Sequence, residues 1–184
     1  MTEIYNADNP LKILSLGWGV QSWTLAAMAA LGEIPMPDYA VHADTTHEMA
    51  GTYAHAEKWT PWLEEYGVKV RTVQAKNVQV TPGSGKFDYA IEIPAFTTNL
   101  LTAKSGQMNR QCTGHWKDSQ KKYIKNVYPL VDRRLNRSYC AAWLDEHGLD
   151  IPPKSACTFC PYHSKDTWKR MKQAGGVDWE NAVD

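Results

Sequence analysis

The stretch Lys12-Ile13-Leu14-Ser15-Leu16-Gly17-Trp18-Gly19-Val20-Gln21-Ser22 decides how the chain folds. Lys12 to Leu16 is a short apolar run of strand character. Two glycines turn the chain, and Gln21 to Leu31, rich in alanine, has strong helical propensity until Gly32 stops it. The reading is strand, tight turn, helix. Glycines let backbone N–H groups turn toward an anion, Ser22 adds a hydroxyl, and the helix N-terminus adds partial positive charge, so the turn has the chemistry of a phosphate cradle. It is not a Walker A loop, because no Gly-Lys-Ser/Thr follows, and it does not match the dinucleotide G-x-G-x-x-G pattern. By itself the turn fits a purely structural loop as well as it fits a ligand site.

Outward from this turn the pattern repeats. Pro35 and Pro37 interrupt the chain, Tyr39 to Ala43 forms a second apolar strand, Glu48 to Tyr66 reads as a helix kinked or divided at Pro61, and Val68 to Val73 supplies a third strand. Strands alternating with helices imply βαβ units and a parallel sheet, an α/β fold of Rossmann-like type. The signal then weakens. Thr81 to Lys86 is a turn-rich loop, and Phe87 to Ile93 fits an edge strand or an ordered arm. Gln111 to Ile124, Ser138 to His147 and Lys165 to Gln173 read as helices, the second ending at Gly148 and the third before Gly175 and Gly176. One domain over 1–184 is expected, with 1–103 as the nucleotide-binding core and 104–184 as a helical, cysteine-bearing region.

The 184 residues are 43% apolar and carry 20 basic and 20 acidic side chains, so no global electrostatic footprint for nucleic acid or an anionic membrane exists. The balance hides a local asymmetry. Between Lys104 and Arg137 nine Lys/Arg face two acids, Asp118 and Asp132, a net of +7. Such a run is often only a solvated helix face. No stretch approaches the ~18 uncharged apolar residues of a membrane span, and the N-terminus lacks an apolar signal-peptide core, so a cytoplasmic protein is expected. There, four cysteines point to metal binding or redox chemistry rather than to structural disulfides. Cys157-Thr158-Phe159-Cys160 is a C-x2-C knuckle, and Cys112 and Cys140 complete a set of four, enough for an all-thiolate zinc site or a 4Fe–4S cluster. His115 and His163 are alternative ligands, although each is more readily read as a surface histidine.

Several of these segments together resemble the PAPS reductase/ATP pyrophosphatase (PP-loop) superfamily, and most closely its short bacterial and phage PAPS-reductase-like branch, related to DNA-sulfur-modification ATP pyrophosphatases. Gly17 to Ser22 looks like the S-G-G-x-D-S loop and its variant S-x-G-G-G-V-Q-S. His42-Ala43-Asp44-Thr45 with Glu48 and Thr52-Tyr53 is similar to the D-T-G … E-T-Y region around adenosine. Arg110-Gln111-Cys112-Thr113 with Trp116-Lys117 resembles R-x-C-T … Y/W-K, and Lys154 to His163 is nearly K-S-A-C-x-F-C-P-Y-H. The resemblance runs from about Lys12 to Trp179. Trp18 replaces a glycine of the variant loop and Gln21 an aspartate of the superfamily, so handling of metal or pyrophosphate is expected to differ. Where relatives carry a longer insert, Lys122 to Tyr128 runs straight on.

The resemblance implies cleavage of ATP to AMP and pyrophosphate, adenylating an acceptor for sulfur transfer. Ser15, Gly17, Gly19, Gln21 and Ser22 would hold phosphates, Asp44 and Thr45 the adenosine side, and Arg110 and Lys117 the charge developing on pyrophosphate, with Mg2+ bridging the phosphates. Cys112, Cys140, Cys157 and Cys160 would carry a 4Fe–4S cluster in preference to Zn2+. The implied partners are ATP or an adenylyl sulfonucleotide and an acceptor of nucleic-acid or nucleobase type, with no membrane and a homodimer as the assembly. Two alternatives stay open. A sulfonucleotide (PAPS/APS) reductase shares the fold but needs a thiol free of the cluster, and no cysteine follows Cys160. A non-catalytic, zinc-stabilised binding module would use the basic segment for nucleic acid.

Overall fold

The computed structural model describes residues 10–74, 96–98, 105–107, 124–160 and 162–183. They form two compact units, one of residues 1–74 with 129–157 and one of residues 75–128 with 158–184.

The first unit is an α/β layer. Strand β1 (Ile13–Ser15) leads into helix α1 (Val20–Ala30), β2 (Tyr39–Asp44) into α2 (Ala50–Glu65), and β3 (Val70–Gln74) completes a sheet of order β1-β2-β3. Both pairings are parallel, with Ile13 opposite Tyr39 and Ala40 opposite Val70, as the two βαβ crossovers require. The chain returns to this unit with a short turn of helix, α3 (Pro129–Asp132), and with α4 (Arg137–Glu146), whose N-cap Asn136 accepts the Tyr139 N–H. Helix α1 is buried on most of its circumference, and its alanines let β1, α2 and α4 close around it. The core gathers Leu16, Trp18, Trp23, Met28, Leu63, Val68, Trp143 and Leu144.

Helix α2 runs through Pro61 as one element, where the sequence suggests a kink or a division. Pro61 removes only the N–H that would have reached the Glu57 carbonyl, on an exposed stretch of the helix. On either side of it, Trp59, Trp62 and Leu63 anchor the helix to the core.

One face of α2 also carries His55 into that core. Its ring stands edge-on to Trp18 at 5.9 Å and to Trp23 at 5.3 Å, and burial pushes its pKa down to about 4. The imidazole is therefore neutral in the folded protein at pH 7, while an unfolded histidine titrates near ~6.5. A folded value below the unfolded one gives a contribution that is complete above the unfolded value and lost as pH falls toward the folded one. Stability should therefore decline between about pH 6.5 and 4, and His55→Phe should flatten that decline. Urea midpoints measured across the window check this. Parallel pH profiles for the two proteins would refute it.

The second unit contains an antiparallel hairpin of β4 (Phe96–Thr98) and β5 (Ser105–Gln107), then α5 (Lys165–Ala174) and α6 (Val177–Val183). Ser164 caps α5 by accepting the Thr167 N–H, and Gly175 ends it at φ 64°. The loop at 81–86, the segment 87–93 and the expected helix 111–124, apart from non-helical Ile124, lie outside the described residues. Among the described residues no helix is long and apolar enough to cross a membrane.

Candidate functional site

The turn between β1 and α1 opens at the carboxyl end of β1, beside the carboxyl end of β2. Leu16 extends the strand by donating to the Val41 carbonyl, and Trp18 then takes a left-handed backbone, φ 53°. That conformation explains why a glycine suits this position. The tryptophan is accommodated because its ring is fully buried among Trp23 and His55. Trp18 therefore belongs to the core and leaves the mouth of the turn to Gly17, whose missing Cβ would meet nothing within 4 Å.

Gly19 is the N-cap of α1 and offers no side-chain cap. The N–H groups of Gly19, Val20, Gln21 and Ser22 consequently have no acceptor within the helix. Together with the helix dipole they form an anion-attracting end. Ser15, Gly17 and Gln21 are exposed around it and Ser22 is half-buried. The Ser22 hydroxyl donates back to the Gly19 carbonyl at 3.2 Å, so it serves the helix turn, as serines near helix starts often do.

Asp44 ends β2 and is buried, with three donors converging on its carboxylate. Tyr53 Oη and the Thr46 N–H donate to Oδ1 at 2.7 Å each, and Gln74 Nε2 donates to Oδ2 at 2.7 Å. Burial works against ionisation here, but the hydrogen bonds from Gln74, Tyr53 and Thr46 outweigh it and hold the carboxyl below its ordinary range. Burial and the bond to Asp44 push the Tyr53 phenol up to about 12, so Tyr53 stays a donor. Asp44 also stabilises Thr46 at φ 65°, a backbone that a β-branched residue rarely takes. Its first role is thus to shape the β2–α2 loop. Of the carboxylate's ~4 acceptor directions about one remains for a ligand.

The segment 150–157, whose end belongs to the Lys154 to His163 signature, closes over both helix starts, a placement that the sequence does not indicate. The Trp23 indole donates to the Asp150 carbonyl at 3.1 Å, and Lys58 and Trp59 both donate to the Asp150 carboxylate. Pro153 comes so near Gly51 that a Cβ there would lie 3.0 Å from its ring, and Ser155 Oγ would lie 2.9 Å from a Cβ on Gly19. Met49 donates to the Ala156 carbonyl at 3.1 Å, and Glu48 forms a bridge with Cys157. The Cys157 thiol rests 3.4 Å from Thr45 Oγ1 and 3.9 Å from Glu48 Oε1. Burial raises the Glu48 pKa. Gly19 and Gly51 were the available signals for this strap, each being a place where another backbone comes close. The same segment lines a surface cavity of about 370 Å3 with Ala54, His55, Lys58, Asp150, Ile151 and Pro153.

The other expected site residues are distributed differently. Cys140, on α4, is fully buried in the first unit's core, where burial raises its pKa and favours the neutral thiol over the thiolate that binds metal. The C-x2-C pair falls in both units, Cys157 closing the first and Cys160 lying in the second. His163, expected at the surface, is buried and stands edge-on to Trp168 at 5.3 Å. Arg110, Cys112, His115 and Lys117 lie outside the described residues. Among the described residues no three His, Cys, Asp or Glu side chains gather into a group that could hold a metal ion. No protein-family model matches the chain, and neither a curated protein nor a solved structure shows significant similarity to it.

Proposed function

We propose that the first unit binds ATP at the carboxyl ends of β1 and β2, and that the chain is a PP-loop-type enzyme cleaving ATP to AMP and pyrophosphate to adenylate an acceptor. One observation carries the reading: the uncapped start of α1 and the ionised Asp44 stand at adjacent ends of parallel strands. Ligands of open α/β sheets bind in that crevice, with phosphate against the helix N-terminus. The exposed Gly17 and the free N–H groups from Gly19 to Ser22 would take phosphate oxygens, and Asp44 would order the loop facing the nucleoside. Arg110 and Lys117 would balance charge on departing pyrophosphate, with Mg2+ as the bridging ion.

No step of this reaction runs through the cysteines. Cys112, Cys140, Cys157 and Cys160 are proposed as ligands of a 4Fe–4S cluster, with zinc as the alternative metal, on the C-x2-C spacing and the count of four. The test uses one anaerobic preparation, whose iron, sulfide and zinc content is measured before calorimetric titration with Mg·ATP. Saturable ATP binding that Asp44→Ala weakens, in protein containing iron and sulfide, is the expected result. Absence of ATP binding would end the nucleotide reading, and stoichiometric zinc without iron would replace the cluster with a structural metal.

A second reading, sulfonucleotide reduction, is favoured by the Cys157 thiol lying against Thr45 at the same strand end. It predicts sulfite from PAPS or APS in the presence of a thiol reductant.

A further inference from the structure

A hydroxyl would add a donor to the anion-attracting start of α1, and that of the serine inside the turn is already engaged. Ser22 Oγ is committed to the Gly19 carbonyl. A second serine reaches the same place from far along the chain. Ser155 rides on the 150–157 strap, and its Oγ lies where a side chain on Gly19 would have to go, 2.9 Å from an ideal Cβ. The strap is fixed on both sides of Ser155: upstream by the Asp150 bonds to Trp23, Lys58 and Trp59, and downstream by the bonds of Ala156 to Met49 and of Cys157 to Thr45. The Ser155 hydroxyl is half-buried yet has no hydrogen-bond partner among the described residues. Beside it are helix N–H groups that also lack acceptors, and the space in front of Gly17 is open. An oxygen-rich anion at the helix start could accept from both.

We propose that Ser155 is a phosphate-binding residue of the strand-end site, donating its hydroxyl to the phosphate or pyrophosphate of the nucleotide held at the start of α1. The inference rests on the nucleotide reading given above and adds to it a residue contributed by the strap. It also gives the glycine at 19 a function: the missing side chain is the space through which Ser155 reaches the anion.

The experiment is calorimetric titration of the full chain with Mg·ATP and, separately, with inorganic pyrophosphate, using wild type, Ser155→Ala and Gly19→Ala. Thermal melts of each variant confirm that it is folded. A hydrogen bond to a charged group is worth enough that Ser155→Ala should weaken both ligands about tenfold. Gly19→Ala, which displaces the hydroxyl without removing it, should reproduce the loss, and it tests the idea even if Ser155→Ala does not fold. Wild type that binds ATP while Ser155→Ala and Gly19→Ala bind it equally well would overturn the assignment of Ser155 and leave the nucleotide reading standing. A loss seen with ATP but not with pyrophosphate would also overturn it, because the contact would then be to the nucleoside. Wild type that binds neither ligand would remove the nucleotide reading itself.

Discussion

Trp23→Ala should destabilise the first unit by about 4 kcal/mol, a shift of roughly a thousandfold in its folding equilibrium. The side chain is fully buried, and its ring has four aromatic neighbours, Trp18, His55, Trp59 and Trp62, with centroids between 5.2 and 6.1 Å away. Truncating a buried aromatic costs about 3–5 kcal/mol because the cavity left behind collapses only in part. The indole N–H also holds the Asp150 carbonyl, and losing that bond adds about 1 kcal/mol. Trp23→Phe keeps most of the ring volume and gives up mainly the hydrogen bond, so its loss should be well under half as large. Urea unfolding followed by fluorescence and circular dichroism reads both. With a slope of about 1–3 kcal/mol per molar, the alanine variant should unfold at least ~1 M earlier than wild type. Equal losses in the two variants would assign the effect to the Asp150 bond and not to the aromatic cluster.

That cluster shows how much of the fold could be read from residues alone. β1, the glycine turn and α1 were legible because an apolar run, a turn signal and an alanine-rich helix follow one another, and each rule is local. The same holds for β2, β3 and α4, whose ends shift by no more than about two residues, the usual ambiguity of element boundaries. Pro61 misleads for the opposite reason: the local rule breaks a helix there, but Trp59, Trp62 and Leu63 bury the flanking turns and hold it together. The β4–β5 hairpin has strands of three residues each, too short for an alternating pattern to register.

The candidate site was legible in part. The turn and Asp44 were found from their positions after strands. Of the three donors that satisfy Asp44, however, Tyr53 comes from α2 and Gln74 from the end of β3, and no spacing rule links Asp44 to Gln74. The 150–157 strap has no period at all. Its bonds run to helices α1 and α2 and to the loop between β2 and α2, about a hundred residues earlier, so only the topology brings Ser155 to Gly19 and Cys157 to Glu48. Trp18 makes the same point at one residue. In sequence it is a departure from a glycine pattern, whereas in the fold its backbone keeps the left-handed angle and its ring enters the core.

Arg110→Ala should slow formation of AMP from ATP by about 10^2 to 10^3-fold, the loss typical when one preorganised electrostatic partner of a transition state is removed. Arg110 belongs to the +7 segment between Lys104 and Arg137 and lies outside the described residues, so the expectation rests on chemistry. As pyrophosphate departs, negative charge grows on its bridging oxygen, and a guanidinium can meet two phosphate oxygens at once with a charge that does not titrate. The first unit offers backbone N–H groups and hydroxyls at the turn, which suit binding; Lys58, beside the strap, is paired with Asp150. Arg110 and Lys117 are the cations proposed to meet the leaving group. If the charge acts in the transition state, Arg110→Ala lowers kcat with little change in the dissociation constant for Mg·ATP, and Arg110→Lys recovers only part of the rate because the bidentate geometry is lost. The assay supplies ATP and Mg2+ with candidate acceptors and, in parallel, PAPS or APS with thioredoxin or glutathione, and quantifies AMP and sulfite by mass spectrometry. Sulfite release without AMP would replace adenylation by reduction, and would require that at least one of Cys112, Cys140, Cys157 and Cys160 acts as a free nucleophile and not as a metal ligand.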